Sequence, residues 1–248
     1  MKQWYQRNRR LFIKERDSLA ASCPLMMLSI VGPEFRINRV SVTKGECALA
    51  HGTYILSQPS NQNEIKYGIA LIIPANYPKS FPIMFCNDSK LPIGNIDRHI
   101  LSDGQACLEV RTEIKRRWPQ GSSITDFLQN LVEPFLAWQL YYDAFSTPPE
   151  WGERKHGIEG IIQYYAEIIG QPADDTIIGF MKLLARKNQP KGHEYCPCGS
   201  GERIRHCHGQ LIREVRDRVP WSDVATDLTV MQKYDPAKKT DSLLKDPN

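Results

Sequence analysis

The sequence is short of several features that would each point to a particular class of protein. No apolar run approaches the ~18 residues that a membrane span requires, and the basic N-terminus is not followed by the uninterrupted apolar core of a signal peptide. The chain therefore reads as soluble and unexported, a cytoplasmic protein with no membrane partner. Neither sign of charge dominates: a net +4 over 248 residues excludes both a histone-like binder and an acidic tail. There is no even, regular set of cysteines. Seven are spaced irregularly, three of them between Cys196 and Cys207, which suits a reducing compartment and a metal site better than a disulfide framework. Internal repeats are absent. Any basic function must be local. Lys2, Arg7, Arg9, Arg10, Lys14 and Arg16 face Glu15 alone, and eight basic against four acidic side chains lie between Arg186 and Arg218. Both read equally as solvated surface or as partner-binding patches.

What is present is a change of texture along the chain. Residues 3–21 place Leu11, Phe12 and Leu19 on one face, the pattern of an amphipathic helix. From Pro24 to Ile73 the alternation becomes β-like, through Leu28 and Ile30, Val40 and Val42, Tyr54 and Leu56, and Ile65 to Ile73. Turns punctuate it at Gly32-Pro33, Lys44-Gly45 and 59–63. This predicts an antiparallel meander that the strand Phe81–Cys86 extends. Residues 87–105 predict a long irregular surface segment, a type of loop that is usually functional. A core helix follows, opened by a Ser123/Asp126 capping box and carrying Ile124, Phe127, Leu128, Leu131, Val132, Phe135, Leu136 and Leu140. Pro134 should kink it near Asn130 or split it. Two further helices are expected, near 158–169 and 175–186, then a polar linker over 188–194.

The stretch HILSDGQACLEV, His99–Val110, ends the long loop and holds the candidate nucleophile Cys107. Leu108 and Val110 are expected to pack beneath it. Upstream lie Tyr77, Pro78, Phe81 and Pro82, and downstream Trp118-Pro119 and the core helix. In this order the stretch Tyr77–Leu140 resembles ubiquitin-conjugating enzymes, whose Tyr-Pro-x-x-Pro-Pro turn and His-Pro-Asn segment precede Gly-x-x-Cys-Leu. The element order matches from Arg7 to Phe145. Trp151 to Gly157 looks like bacterial members of that superfamily from defence and conjugation operons.

The resemblance implies an α+β fold of an N-terminal helix, a four-stranded antiparallel meander and C-terminal helices. It also implies that Cys107 holds the C-terminus of a ubiquitin-like protein as a thioester and passes it on as an acyltransferase. A thiol-to-thiol acyl shift is nearly isoenergetic, so access and a modest thiolate fraction suffice. Transfer to an amine needs an oxyanion donor and a proton acceptor. Ile100 and Leu101 follow His99 here, so the family's Pro and Asn are missing at those places. Asn95, Ser102, backbone N–H groups or His99 are the substitutes, with His99 as the second catalytic candidate. Asp103 and Glu109 could orient an amine or be solvated carboxylates. Relatives in bacterial nucleotide-signalling (CBASS) antiviral defence suggest a further partner, the C-terminal tail of a CD-NTase (cGAS-like nucleotidyltransferase). A separate activating enzyme would make the acyl donor.

Cys196-Pro-Cys198-Gly-Ser-Gly, with eight residues between Cys198 and Cys207-His208, supplies three thiolates and an imidazole, a donor set that suits tetrahedral zinc in a structural site. It resembles the SEC-C zinc module, with Cys196, Cys198, Cys207 and His208 as ligands. Spacing alone leaves His206 and His193 open. Arg203, Arg205, Arg213, Arg216 and Arg218 around it would suit nucleic acid or protein. The expected division is 1–187 for the conjugating-like domain, 188–220 for the zinc module and 221–248 for a tail, flexible at its end. Three rivals stand beside the carrier: a Cys-His hydrolase using Cys107 with His99 or His156, a catalytically dead relative that binds ubiquitin-like folds, and a non-catalytic adaptor that binds protein or nucleic acid through the zinc module.

Overall fold

A computed structural model of the chain describes residues 2–38, 40–41, 45–57, 64–149, 155, 157–172 and 175–233. The 59–63 turn, Val42, Lys44, His156, most of the Trp151–Gly157 stretch and the tail from Tyr234 lie outside them. The protein is α+β. Its contacts divide it into two units, Met1–Glu109 with Glu113–Gly152, and Val110–Thr112 with Glu153–Asn248. Among the described residues no helix is long and apolar enough to cross a membrane.

The first unit opens with helices α1 (Trp4–Arg7) and α2 (Arg9–Ser22). Strands β1 (Met26–Val31), β4 (Cys47–Ser57), β5 (Glu64–Ile73) and β6 (Ile83–Cys86) form one sheet in the order β1-β4-β5-β6, every pair antiparallel. A small hairpin, β2 (Arg36–Ile37) and β3 (Val40–Ser41), interrupts the meander. The predicted alternation is visible in burial: Tyr54 and Leu56 of β4, and Tyr67, Ile69, Leu71 and Ile73 of β5, face one core. Helices α3 (Arg111–Arg117), α4 (Ile124–Phe127) and α5 (Glu133–Phe145) follow.

The capping box at α4 forms as expected: Ser123 Oγ accepts the Asp126 N–H at 3.0 Å, and Asp126 Oδ2 accepts the Ser123 N–H at 2.7 Å. Pro134 splits the core helix, and the split takes the form of a π-helical turn over Leu128–Val132. Proline lacks an N–H and crowds the carbonyl four residues back, and a widened turn relieves both. Glu15, 3 % exposed, ties the layers together, accepting from Tyr77 Oη at 2.8 Å and from the Ile124 N–H at 2.9 Å.

The second unit holds α6 (Gly157–Ile169), α7 (Asp175–Leu184), α8 (Gly209–Arg218) and α9 (Trp221–Lys233). They share one core with Cys196 and Ile204, built from Ile161, Tyr164, Tyr165, Ile177, Phe180, Met181 and Val224 among others. The boundary expected after residue 187 is therefore not where the contacts divide, because α6 and α7 bury their apolar faces against the cysteine-rich segment. Nor is 221–233 a tail, since Val224, Leu228 and Met231 put α9 into that core. Val110 packs there as well, not beneath Cys107. Tyr165 Oη donates to Asp227 Oδ2 at 2.7 Å, and the Thr112 hydroxyl donates to the same oxygen, which holds Val110–Thr112 in this unit. Burial pushes the Asp227 carboxyl above its ordinary range.

Candidate functional site

Two constellations stand out. The first is the loop that carries Cys107. After β6 the chain makes a turn anchored by Asp88, whose carboxylate accepts the Gly68 and Lys90 N–H groups. It then enters a 3₁₀ turn, Ile96–Arg98, which Asn95 caps through its side chain. Asn95 is thus occupied with the loop itself. Gly104 reverses the chain at φ 87°, where a Cβ would meet Asn38 Nδ2 at 2.3 Å, which accounts physically for the glycine three residues before the cysteine. The segment then runs back along β6: Cys86 N–H donates to Gly104 O, and Ala106 N–H to Met84 O. Residues 87–105 are accordingly irregular but tightly hydrogen-bonded.

Cys107 emerges at the end of this return with its thiol exposed, and its N–H donates to His99 O at 2.8 Å. His99 adopts left-handed φ (56°), and its ring meets Trp138 edge-on at 5.4 Å. The next anchor, Arg98, was not legible as a site residue. It is 7 % exposed, donates to Gln139 Oε1, Gln139 O and Asp143 Oδ1, and lies over the Tyr142 ring. Gln139, fully buried, donates back to Arg98 O at 2.7 Å. The loop is thereby clamped to α5 on the residue preceding His99.

The protein around Cys107 withholds enough water that burial, aided by the Asp103 carboxylate, pushes its thiol pKa above the ordinary 9.0. Asp103 also accepts the Gln105 N–H at 2.9 Å. Ser102 is exposed and Glu109 half-buried. The thiolate is the reactive form, so alkylation of Cys107 by iodoacetamide is expected to climb with pH to a midpoint above 9. Asp103→Asn should move that midpoint down and speed alkylation at pH 8. A midpoint below 8, or none of the Asp103 effect, would contradict this electrostatic picture.

The second constellation brings Cys196, Cys198, Cys207 and His208 together, with their donor atoms all within 4.8 Å of one another. A tight β-bridge, Tyr195↔Arg203, closes the hairpin that carries the first two, and Gly199 (φ 77°) and Gly201 (φ 76°) turn it. A 3₁₀ turn, Ile204–His206, then brings Cys207 and His208 round to the start of α8. His208 Nδ1 lies 3.2 Å from Cys196 Sγ and 3.1 Å from Cys207 Sγ, and Cys198 and Cys207 are 3.4 Å apart.

A tetrahedral shell with bonds of about 2.0–2.3 Å needs donor separations of roughly 3.5–3.8 Å, so small outward shifts admit an ion. The residues fit a metal. His206 and His193 do not join them: His206 Nε2 accepts from Arg205 Nε, and His193 is exposed. Ser200 was not anticipated as a site residue. Its hydroxyl, 3.2 Å from Cys198 Sγ, lowers that thiol's pKa, whereas burial raises that of Cys196. The Cys-Gly-Ser-Gly spacing was the available signal for it. Neither a scan of known protein-family models nor a search of curated proteins finds a match to the chain.

Proposed function

We propose that the protein is a ubiquitin-conjugating-like acyl carrier whose Cys107 forms a thioester with the C-terminus of a partner, and that Cys196, Cys198, Cys207 and His208 hold a structural zinc ion. The observation that carries the first part is an exposed thiol at the end of a loop held on both sides. Its own N–H is tied to His99 O, Ala106 is tied to β6, and Arg98 is tied to α5. A four-stranded antiparallel meander after an N-terminal helix, with a core helix behind, supports the conjugating-enzyme-like reading of the fold.

In the proposed step the Cys107 thiolate attacks the activated carbonyl of the partner's C-terminus. The carbonyl carbon forms a bond to Sγ and breaks its bond to the donor's leaving group, which departs with the electron pair and takes up a proton. A nearly isoenergetic exchange tolerates the small thiolate fraction that a raised pKa leaves, because access matters more than a standing thiolate. The partner would be a ubiquitin-like protein or the C-terminal tail of a nucleotidyltransferase, activated by a separate enzyme. The setting would be the cytoplasm of a bacterium defending itself against phage.

The zinc part rests on the donor set. Three thiolates and one imidazole, all supplied by the protein, leave no open position for substrate and make the centre structural. Incubating the chain with activated candidate partners should give an adduct on denaturing gels that thiol removes and that Cys107→Ser converts to a thiol-stable ester or abolishes. If no candidate forms an adduct, the adaptor reading replaces this one.

A further inference from the structure

His208 precedes α8 and turns Nδ1 towards the cysteines. Its other ring nitrogen, Nε2, lies 3.1 Å from Gln171 Nε2, the NH2 end of that carboxamide, and Phe180 meets the ring edge-on at 5.3 Å. Gln171 stands in the turn that ends α6. There Gly170 takes φ 68°, and the N–H groups of Gly170 and Gln171 both converge on Ala166 O.

We infer that Gln171 is the positioning residue of the metal centre: with its carboxamide turned over so that Oε1 faces the ring, it accepts the His208 Nε2–H and so fixes the tautomer that leaves Nδ1 free to ligate. The inference rests on the metal reading of the four-residue cluster. A metal on Nδ1 needs the lone pair there, which puts the proton on Nε2. A half-buried ring N–H facing protein needs an acceptor.

The carboxamide of Gln171 is the group within hydrogen-bonding distance, and its oxygen and NH2 ends exchange by a half-turn of the last side-chain bond. With the NH2 end forward, as placed here, Nε2 has to accept and the proton sits on Nδ1, where it blocks the ion; a half-turn of the carboxamide exchanges this for the ligating tautomer. One orientation is therefore compatible with ligation at Nδ1. It carries the cluster's influence to Gln171 at the end of α6, 25 residues before Cys196 in the sequence.

The test uses the full chain as wild type, Gln171→Leu and Gln171→Glu, titrated with Zn²⁺ against a chromophoric chelator, with long-range ¹H–¹⁵N spectra of the histidines. Gln171→Leu, which keeps bulk without an acceptor, should weaken zinc binding about 10–100-fold. Gln171→Glu, whose carboxylate accepts the same proton, should restore affinity to the wild-type level or above. In the loaded wild type the spectra should show His208 ligated through Nδ1, with a slowly exchanging Nε2–H.

Unchanged affinity in Gln171→Leu, or ligation through Nε2, overturns the inference while leaving the metal centre standing. A wild-type chain that takes up no Zn²⁺ removes the metal reading and the inference together. Should Gln171→Leu fail to fold, the wild-type spectrum alone decides which nitrogen ligates.

Discussion

With the cluster holding zinc as proposed, stripping the ion from the second unit, by chelation or by Cys196→Ser, is expected to lower its unfolding temperature by about 16 °C or more. The reason lies in where the donors sit. Cys196 is buried in the same core as Tyr165, Phe180 and Ile212, and Cys198 and Cys207 pack against that core. An ion held there would therefore close the interior of the unit that α6–α9 build, not a peripheral knuckle. Structural zinc in small modules binds with about 10–16 kcal/mol of apparent free energy, which is folding free energy wherever the unfolded chain lacks the site. A domain of this size has roughly 5–15 kcal/mol of net stability in all. If only about 4 kcal/mol of that binding is linked to the fold, the shift is about 16–32 °C. Circular dichroism at 222 nm with and without chelator, beside hydrogen exchange on α6–α9, measures it. Unchanged melting after verified zinc removal would show that the helical core stands without the ion.

Gln139→Ala is expected to destabilise the first unit by about 3 kcal/mol and to free the Cys107 loop. Gln139 has no exposed surface, and it exchanges two side-chain hydrogen bonds with Arg98, at 2.8 and 2.7 Å. Truncation leaves Arg98 Nε and Arg98 O buried without those partners. A buried group so orphaned costs about 1–3 kcal/mol, and more when it is charged. The Asp143 ion pair cannot take up the loss, because Asp143 is 43 % exposed and already engaged.

Replacing both partners by apolar residues, Arg98→Met with Gln139→Met, should cost less than the sum of the single changes, because no charge is then stranded. The functional readout is hydrogen exchange at the Cys107 amide, which donates to His99 O one residue beyond the clamp. Faster exchange there in Gln139→Ala, without change in β4 and β5, is the result this geometry requires. Equal stability of Gln139→Ala and the wild type would mean that water replaces the lost bonds and that the clamp does little.

The sheet was readable because its signal is local. Alternation at Tyr54–Leu56 and Ile65–Ile73 states both the strands and the buried face, and the Ser123/Asp126 box states where the next helix starts. Pro134 announced a break, although its π-turn form depends on how the neighbouring carbonyls are relieved. The cysteine–histidine cluster was legible because a hairpin and one turn suffice to gather its four donors, all within thirteen residues.

What was not legible is whatever depends on partners distant in sequence. Ile161 and Tyr165 of α6, and Ile177 and Phe180 of α7, carry apolar faces that would suit either unit. Only the meeting with Ile204, Ile212 and Val224 assigns them. The polar composition after residue 234 masked the regular Val224, Leu228, Met231 spacing of α9. Arg98 and Gln171 resemble ordinary surface residues in sequence, because a buried clamp and a histidine's supporting amide acquire their meaning from a helix or a turn tens of residues away. The His-Pro-Asn of ubiquitin-conjugating enzymes has no counterpart at His99–Leu101, and here the loop is steadied by Arg98 and Gln139.

The proposed acyl transfer depends on the chemistry of one sulfur atom, that of Cys107. Intact-mass analysis of the chain, after reaction with an activated partner and before any reductant, should show a species equal to the chain plus the unactivated partner less one water. Thiol should return the chain to its free mass, fragmentation should place the link on Cys107, and Cys107→Ala should never form it. An adduct that persists in Cys107→Ala, maps to another residue or resists thiol in the wild type would contradict the claim that Cys107 carries a thioester.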